Sequence, residues 1–193
     1  MRTACRQASE WRNEGLLELT IAVNLFQAQI RDRSLPRQIR EVLAEFSLPP
    51  ELLELEISEN FALDGDEEII RSLAILRHSG VRLALDDLGT GHASLNYLTK
   101  LPVSNVKIDQ SFVRKMTTDT KSAVVVHSLI VMAHGLGLGV VAEGVETAGQ
   151  TELLSASQCD YAQGYLFGRP LPATDFKALV AGGAAHRRLA EGG

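Results

Sequence analysis

The stretch "LALDDLGTG", Leu83–Gly91, runs an apolar segment into two adjacent aspartates and then into a Gly-Thr-Gly turn. Apolar residues without alternation, ending abruptly in turn residues, read as a buried parallel strand. Two neighbouring carboxylates at its end repel each other. Solvent, a cation or a basic side chain must offset that repulsion.

Other segments repeat the plan. "LELTIAVN", "LLELEISE", "NVKID", "GVVAEGVE" and "YAQGYLFG" read as strands. Between them lie amphipathic helices: a first over Thr3 to about Asn13, then "LPRQIREVLAEFSL", "DGDEEIIRSLAILRHSG", a short one near Ala93–Thr99, "KSAVVVHSLIVMAHGLG", "TAGQTELLSASQ" and "PATDFKALVAG". Six strands each followed by a helix imply parallel strands joined by right-handed crossovers. The fold class is α/β. An open doubly wound sheet and a TIM-type (β/α) barrel are the two architectures that satisfy it. No glycine-rich phosphate fingerprint follows the first strand, which weakens the first.

The chain has 193 residues, 45% hydrophobic and 22% charged, with a formal charge of −5. That composition suits one globular domain, placed at 1–182, with a Gly/Ala-rich tail at 183–193 expected to fray. A non-specific nucleic-acid binder carries a basic face, so the acidic balance disfavours that class and no nucleic-acid partner is expected. The start has no signal-peptide pattern, and the cysteines, Cys5 and Cys159, form no metal-type cluster. Two free thiols in a cytoplasmic protein are expected. The run Ser122–Ala142 is uncharged and long enough to span a bilayer. Its histidines and glycines divide it into a buried helix and a buried strand, so no membrane segment is expected.

Polar residues recur at the strand ends: Asn24; Glu56 and Glu59; Asp86 and Asp87; Lys107 and Asp109; Glu143 and Glu146; Gln163. In a barrel such ends converge on one mouth, where active sites lie. The set is oxygen-rich, without thiolate or imidazole, and hard oxygen donors select Mg²⁺, Mn²⁺ or Ca²⁺. Clustered carboxylates can hold paired ions about 3.5–4 Å apart, and such sites cleave phosphate esters. Lys107, between Val106 and Ile108, would point its ammonium among the acids, to position a water or contact a phosphate oxygen. Each acid alone is more often a helix cap or a solvated residue than a ligand, and Glu59 and Glu146 read as capping or supporting residues as well as ligands. Lys107 has a structural ion pair to Asp109 as its alternative, and Gln163 reads equally as an ordinary strand-end amide. None of the five histidines reads as a ligand.

"VNLFQAQI", "LELEISEN", "LALDDLGTGHASL", "NVKIDQSFV", "VVAEGVET" and "DYAQGYLFGRPLP" resemble, in order and spacing, the EAL-domain cyclic di-GMP phosphodiesterases. The resemblance implies a modified TIM barrel that opens cyclic di-GMP to linear pGpG with two Mg²⁺ or Mn²⁺ ions. It implies that Asn24, Glu56 and Asp86 bind one metal and that Asp86 bridges to a second held by Asp87 and Glu143. Lys107 would contact the hydrolytic water with Glu143 near it. Gln163 would line the pocket and Glu59 would hold the "DLGTGHASL" loop; Asp109 and Glu146 are expected as substrate-binding or loop-supporting residues. A homodimer through the Asp86–Leu95 loop and fused or paired sensor or GGDEF domains are implied as partners.

The chain lacks the Glu-Ala-Leu motif and the arginine after it, and starts in the helix that follows, so the barrel is expected to be short of its first two strands. A catalytically impaired cyclic di-GMP receptor or regulatory module, or an inactive fragment, is the alternative that this implies. Phe26 and His92 replace the family's usual serine and tyrosine, changes expected to tune the loop.

Overall fold

The computed structural model describes residues 1–16, 19–59, 67–90 and 98–181. The chain divides into two compact units, one of residues 1–84 and 93–103, the other of residues 85–92 and 104–193.

The first unit opens with α1 (Arg2–Asn13) and β1 (Ile21–Asn24), followed by α2 (Gln27–Ile30) and α3 (Leu35–Glu45). β2 (Leu53–Ser58), α4 (Glu67–His78) and the first residues of β3 (Arg82–Leu88) complete it. Helix α3 buries Leu35, Pro36, Ile39, Val42 and Leu43, one stripe at helical spacing. α4 places Glu67 and Glu68 in its first turn and Arg77 and His78 in its last, each matched to the partial charge of that helix end. β1 and β2 are parallel, with Ile21 opposite Leu53 and Asn24 opposite Glu56. Leu53, Leu55, Glu56 and Ile57 are all buried, as expected of a strand covered on both faces.

The second unit starts at the end of β3. It continues through β4 (Asn105–Ile108), α5 (Gln110–Val113), α6 (Thr120–Gly135), β5 (Gly139–Ala142), α7 (Ala148–Ala156), β6 (Tyr161–Ala162) and α8 (Ala173–Ala181). Its strands follow the order β3-β4-β5-β6. β4 is parallel to β5, with Lys107 opposite Val141, and β5 is parallel to β6, with Ala142 opposite Ala162. Val106, Ile108, Val126, Ile130, Ala133, Val140 and Leu154 fill the core between sheet and helices. The uncharged run does split into α6 and β5, but α6 is not buried all round: Val126, Ile130 and Ala133 face the core while Val124 and Val131 are exposed. Asp119 starts α6 by accepting from the N–H groups of Lys121 and Ser122 at 3.2 and 3.1 Å. Among the described residues no helix is long and apolar enough to cross a membrane.

Among the described residues the expected strands and helices recur, with differences: the short helices α2 and α5 are additional, and the strand expected over "GVVAEGVE" ends at Ala142. The strand expected over "YAQGYLFG" stops at Ala162. Gly164 packs its backbone against Val145, where an added Cβ would lie 2.2 Å from the Val145 carbonyl oxygen. The chain turns there, and the Gly164 carbonyl accepts from Phe167 and Gly168. The start of the first strand (17–18), the first turn expected for α4 (64–66), most of the helix expected at Ala93–Thr99 (93–97), His92 and the 183–193 tail lie outside the described residues.

Cys5 and Cys159 are free and buried. Burial pushes both thiols up, Cys159 to about 12. Thiolate is the nucleophile, so at pH 8 a thiol of that pKa offers about a thousandfold less of it than an exposed cysteine. Ellman's reagent is expected to label neither thiol in the native protein and both in denaturant; fast native labelling of Cys159 would contradict this burial. The folded state holds the Cys159 proton more tightly than the unfolded state. This contribution to stability is complete below about pH 9 and is lost as pH rises towards about 12.

Candidate active site

β3 delivers Asp86 and Asp87 at its end. Asp87 has φ +59°, in the left-handed region that a non-glycine residue adopts at a cost of about 1–3 kcal/mol, and that Asp tolerates better than most. Asp86 Oδ1 accepts from the Asp87 N–H at 3.0 Å, and the Asp87 carbonyl accepts from the N–H and hydroxyl of Thr90 at 3.2 and 2.9 Å. These bonds fix the Asp86 carboxylate and the backbone of Asp87 at the strand end.

β4 carries Lys107, 5% exposed. Its Nζ lies 2.5 Å from Glu143 Oε1 and 3.7 Å from Asp86 Oδ1. Glu143 follows β5 directly, and its N–H donates to the Ile108 carbonyl at 3.1 Å, extending the β4–β5 ladder by one residue. Asp86, Asp87 and Glu143 each offer a carboxylate oxygen within 4.8 Å of the others. One ammonium against three carboxylates leaves two negative charges in a partly buried space. Like charges about 4 Å apart cost about 4 kcal/mol at an effective dielectric near 20, so the group favours a divalent cation.

The remaining predicted residues divide by position. Asp109, the alternative partner for Lys107, lies beyond the last residue of β4. It starts α5 instead, accepting from the Ser111 N–H at 2.9 Å, so the ion pairs of Lys107 run to Glu143 and Asp86. Glu146 pairs with Arg114 at 3.1 Å. Gln163 follows β6; its N–H donates to the Ala142 carbonyl at 2.8 Å and its carbonyl accepts from Val145 at 3.0 Å, beside the end of β5. In the first unit Asn24 and Glu56 stand opposite each other in register, and the Glu56 carbonyl accepts from the Leu25 N–H at 2.9 Å. Glu56 and Glu59 are buried at 6% and 3% exposure.

Two buried polar residues escape the strand-end reading, Ser122 in the first turn of α6 and Gln150. Gln150, in the first turn of α7, forms a reciprocal capping box with Thr147. The signal was the Thr-x-x-Gln spacing in "TAGQ".

An EAL domain model matches residues 1–170. The chain belongs to the EAL-domain family. The cyclic di-GMP phosphodiesterase RocR of Pseudomonas aeruginosa is 38% identical over 164 residues, covering 85% of this EAL chain and 42% of RocR. The PaMucR phosphodiesterase, solved as a c-di-GMP complex, superposes with a TM-score of 0.86 at 38% identity, over 91% of this chain and 71% of that one. Klebsiella pneumoniae BlrP1, solved as a manganese/cy-diGMP complex, gives a TM-score of 0.77 at 27% identity, over 88% of this chain and 44% of that one. The chain spans between 21% and 42% of the length of the curated relatives it matches. Its α/β fold with parallel strands is that of the TIM-like EAL structures, as expected from the sequence. The donor chemistry of Asp86, Asp87 and Glu143, all hard oxygens, fits a divalent ion.

Proposed function

We propose that this chain hydrolyses cyclic di-GMP to linear pGpG with Mg²⁺ or Mn²⁺, two ions being held, in cytoplasmic second-messenger signalling. The observation that carries the reading is Lys107, buried in an apolar strand with its ammonium against Glu143 and Asp86. The names of RocR and PaMucR and the nucleotide complexes of PaMucR and BlrP1 support the substrate, and the manganese in BlrP1 supports the ion.

Asp86, Asp87 and Glu143 would hold metal, and Asn24 and Glu56 are proposed as further ligands on the strength of the family resemblance. A bound divalent ion supplies charge to offset the phosphodiester and lowers the pKa of a water nucleophile. The residues of the chain do the rest. Lys107 donates to the attacking water or to a phosphate oxygen and so fixes the line of attack. Glu143, within hydrogen-bond reach of Lys107, takes the water proton. Water oxygen bonds to phosphorus, one ester P–O bond breaks, the leaving ribose oxygen takes a proton from solvent, and Glu143 returns its own proton to solvent. Asp87 carries its carboxylate on the strained end of β3, which fixes its direction. Gln163 lines the pocket beside β5, Glu59 and Glu146 support the loops, and Asp109 holds the start of α5. A second copy of the chain, meeting through the Asp86–Leu95 loop (of which 91–95 lie outside the described residues), and sensor or GGDEF domains are proposed as partners.

Incubation with cyclic di-GMP and Mn²⁺, followed by chromatography, is expected to yield pGpG. Excess EDTA is expected to stop the reaction and added Mn²⁺ to restore it. Absence of product from folded, Mn²⁺-loaded protein would overturn the hydrolase reading; a binding titration would then distinguish a cyclic di-GMP receptor from a chain that does not bind the nucleotide.

A further inference from the structure

Gln150 is 3% exposed, and no step of the proposed chemistry employs it. Both ends of its amide are engaged. Oε1 accepts from the N–H groups of Glu146 and Thr147 at 2.7 and 2.9 Å. Nε2 donates to the Val113 carbonyl at 3.2 Å. The two N–H groups belong to the loop 143–147, which begins with Glu143. Val113 ends α5, the helix that follows the Lys107 strand. A single buried amide therefore ties the segment bearing Glu143 to the element that follows Lys107.

Helix capping accounts for only half of this arrangement. The cap of α7 needs the Oε1 contacts and the Thr147 hydroxyl, which accepts from the Gln150 N–H at 3.4 Å. The bond to Val113 contributes nothing to that cap. It does complete the anchoring of the loop. Glu143 N–H is held by Ile108, and Val145 is held by Gln163 and Leu166. Gly144, at φ +68°, lies so close to α5 that an added Cβ would stand 2.5 Å from Gln110 Cβ. The Arg114–Glu146 pair spans the same gap, but at 51% and 42% exposure it is weakened by solvent.

We propose that Gln150 is a positioning residue. It touches neither substrate nor metal, and it sets the spacing between the Glu143 carboxylate and the Lys107 ammonium by clamping the loop to α5. This rests on the proposed hydrolase reading.

Gln150→Met keeps the volume and removes every amide bond. Its kcat is expected to fall about 10–100-fold with KM changed less than about threefold, and its Mn²⁺ affinity, read by titration without nucleotide, to weaken about tenfold, the usual effect of residues that orient a metal ligand. Thr147→Ala is the comparison. It removes the cap hydroxyl, leaves the Val113 tether, and is expected to lower Tm while holding kcat and Mn²⁺ affinity within about twofold of wild type. A Gln150→Met protein that loses Tm but matches Thr147→Ala in kcat and Mn²⁺ affinity would overturn the proposal. If Gln150→Met does not fold, Gln150→Glu retains the acceptor and turns the donation to Val113 into a repulsion between carboxylate and carbonyl oxygens, and the same two readouts decide. Should wild type bind Mn²⁺ but not turn over cyclic di-GMP, the hydrolase reading fails alone and the Mn²⁺ comparison still decides the role of Gln150. A wild type that binds no Mn²⁺ overturns both.

Discussion

Glu143→Ala is expected to lower cyclic di-GMP turnover about 10³-fold while leaving the fold intact. Two losses combine in this one substitution. One of three carboxylates within 4.8 Å of each other disappears, which weakens ion binding. The acceptor 2.5 Å from the Lys107 ammonium disappears with it. Removing a proton-transferring side chain alone costs about 10²–10⁴-fold. The buried Lys107 ammonium loses its nearer partner, a cost that Asp86, 3.7 Å away, offsets in part, so a lowered Tm with a retained fold is expected. The backbone of Glu143 is held by its N–H bond to Ile108, which alanine retains. The side chain is not a packing element of the apolar core, and its loss lessens repulsion with Asp86 and Asp87. Chromatographic detection of pGpG at saturating Mn²⁺ measures the loss, and circular dichroism checks the fold. Turnover within tenfold of wild type would remove Glu143 from the chemistry. Glu143→Gln separates the two losses: it retains an oxygen donor but no negative charge, so added Mn²⁺ would rescue metal binding before it rescued proton transfer.

Much of this site is legible in the sequence because the signals are violations of a simple rule. A parallel strand buried on both faces has no place for charge, so Lys107 between Val106 and Ile108, and Asp86 and Asp87 after Leu85, stand out against the apolar pattern. The strand–helix alternation then places them at one end of their strands. Other features have no such signature. Asn24 and Glu56 are far apart in the chain, and their direct opposition depends on the β1–β2 register, which no local pattern encodes. The left-handed backbone of Asp87 is set by the turn around it, since Asp is equally common with ordinary φ. "YAQGYLFG" has the apolar character of a strand, but the close approach of Gly164 to Val145 ends pairing after two residues. Gln150 looks like a solvent-facing helix residue until the loop it caps folds back over it. A polar residue is conspicuous in sequence when it breaks an apolar run, and inconspicuous when tertiary contacts bury it.

Lys107→Met tests whether the ammonium serves chemistry or merely balances charge, because the two roles predict opposite changes. Without Lys107, three carboxylates face one another with no cation among them. Breaking a buried pair costs about 3–5 kcal/mol. The Asp86 and Glu143 side chains retain 15% and 18% exposure, so solvent screens part of this, and a loss of about 2 kcal/mol is expected in metal-free protein. The same change should tighten Mn²⁺ binding. An ammonium beside the carboxylates repels an incoming divalent ion, and removing one unit charge a few ångströms away is worth about 1–3 kcal/mol at effective dielectrics near 20. The variant is therefore expected to melt lower than wild type without metal, to gain more Tm on adding Mn²⁺, and to bind Mn²⁺ about tenfold more tightly. Turnover moves the other way, falling by about 10²-fold or more, because nothing then orients the water or meets the phosphate oxygen. Tighter metal with less turnover distinguishes a working Lys107 from a purely structural one. If turnover instead persisted while stability fell, Lys107 would be a charge-balancing residue only. If Mn²⁺ bound more weakly, the ammonium would be holding Asp86 and Glu143 in their ligating positions rather than competing with the ion for them.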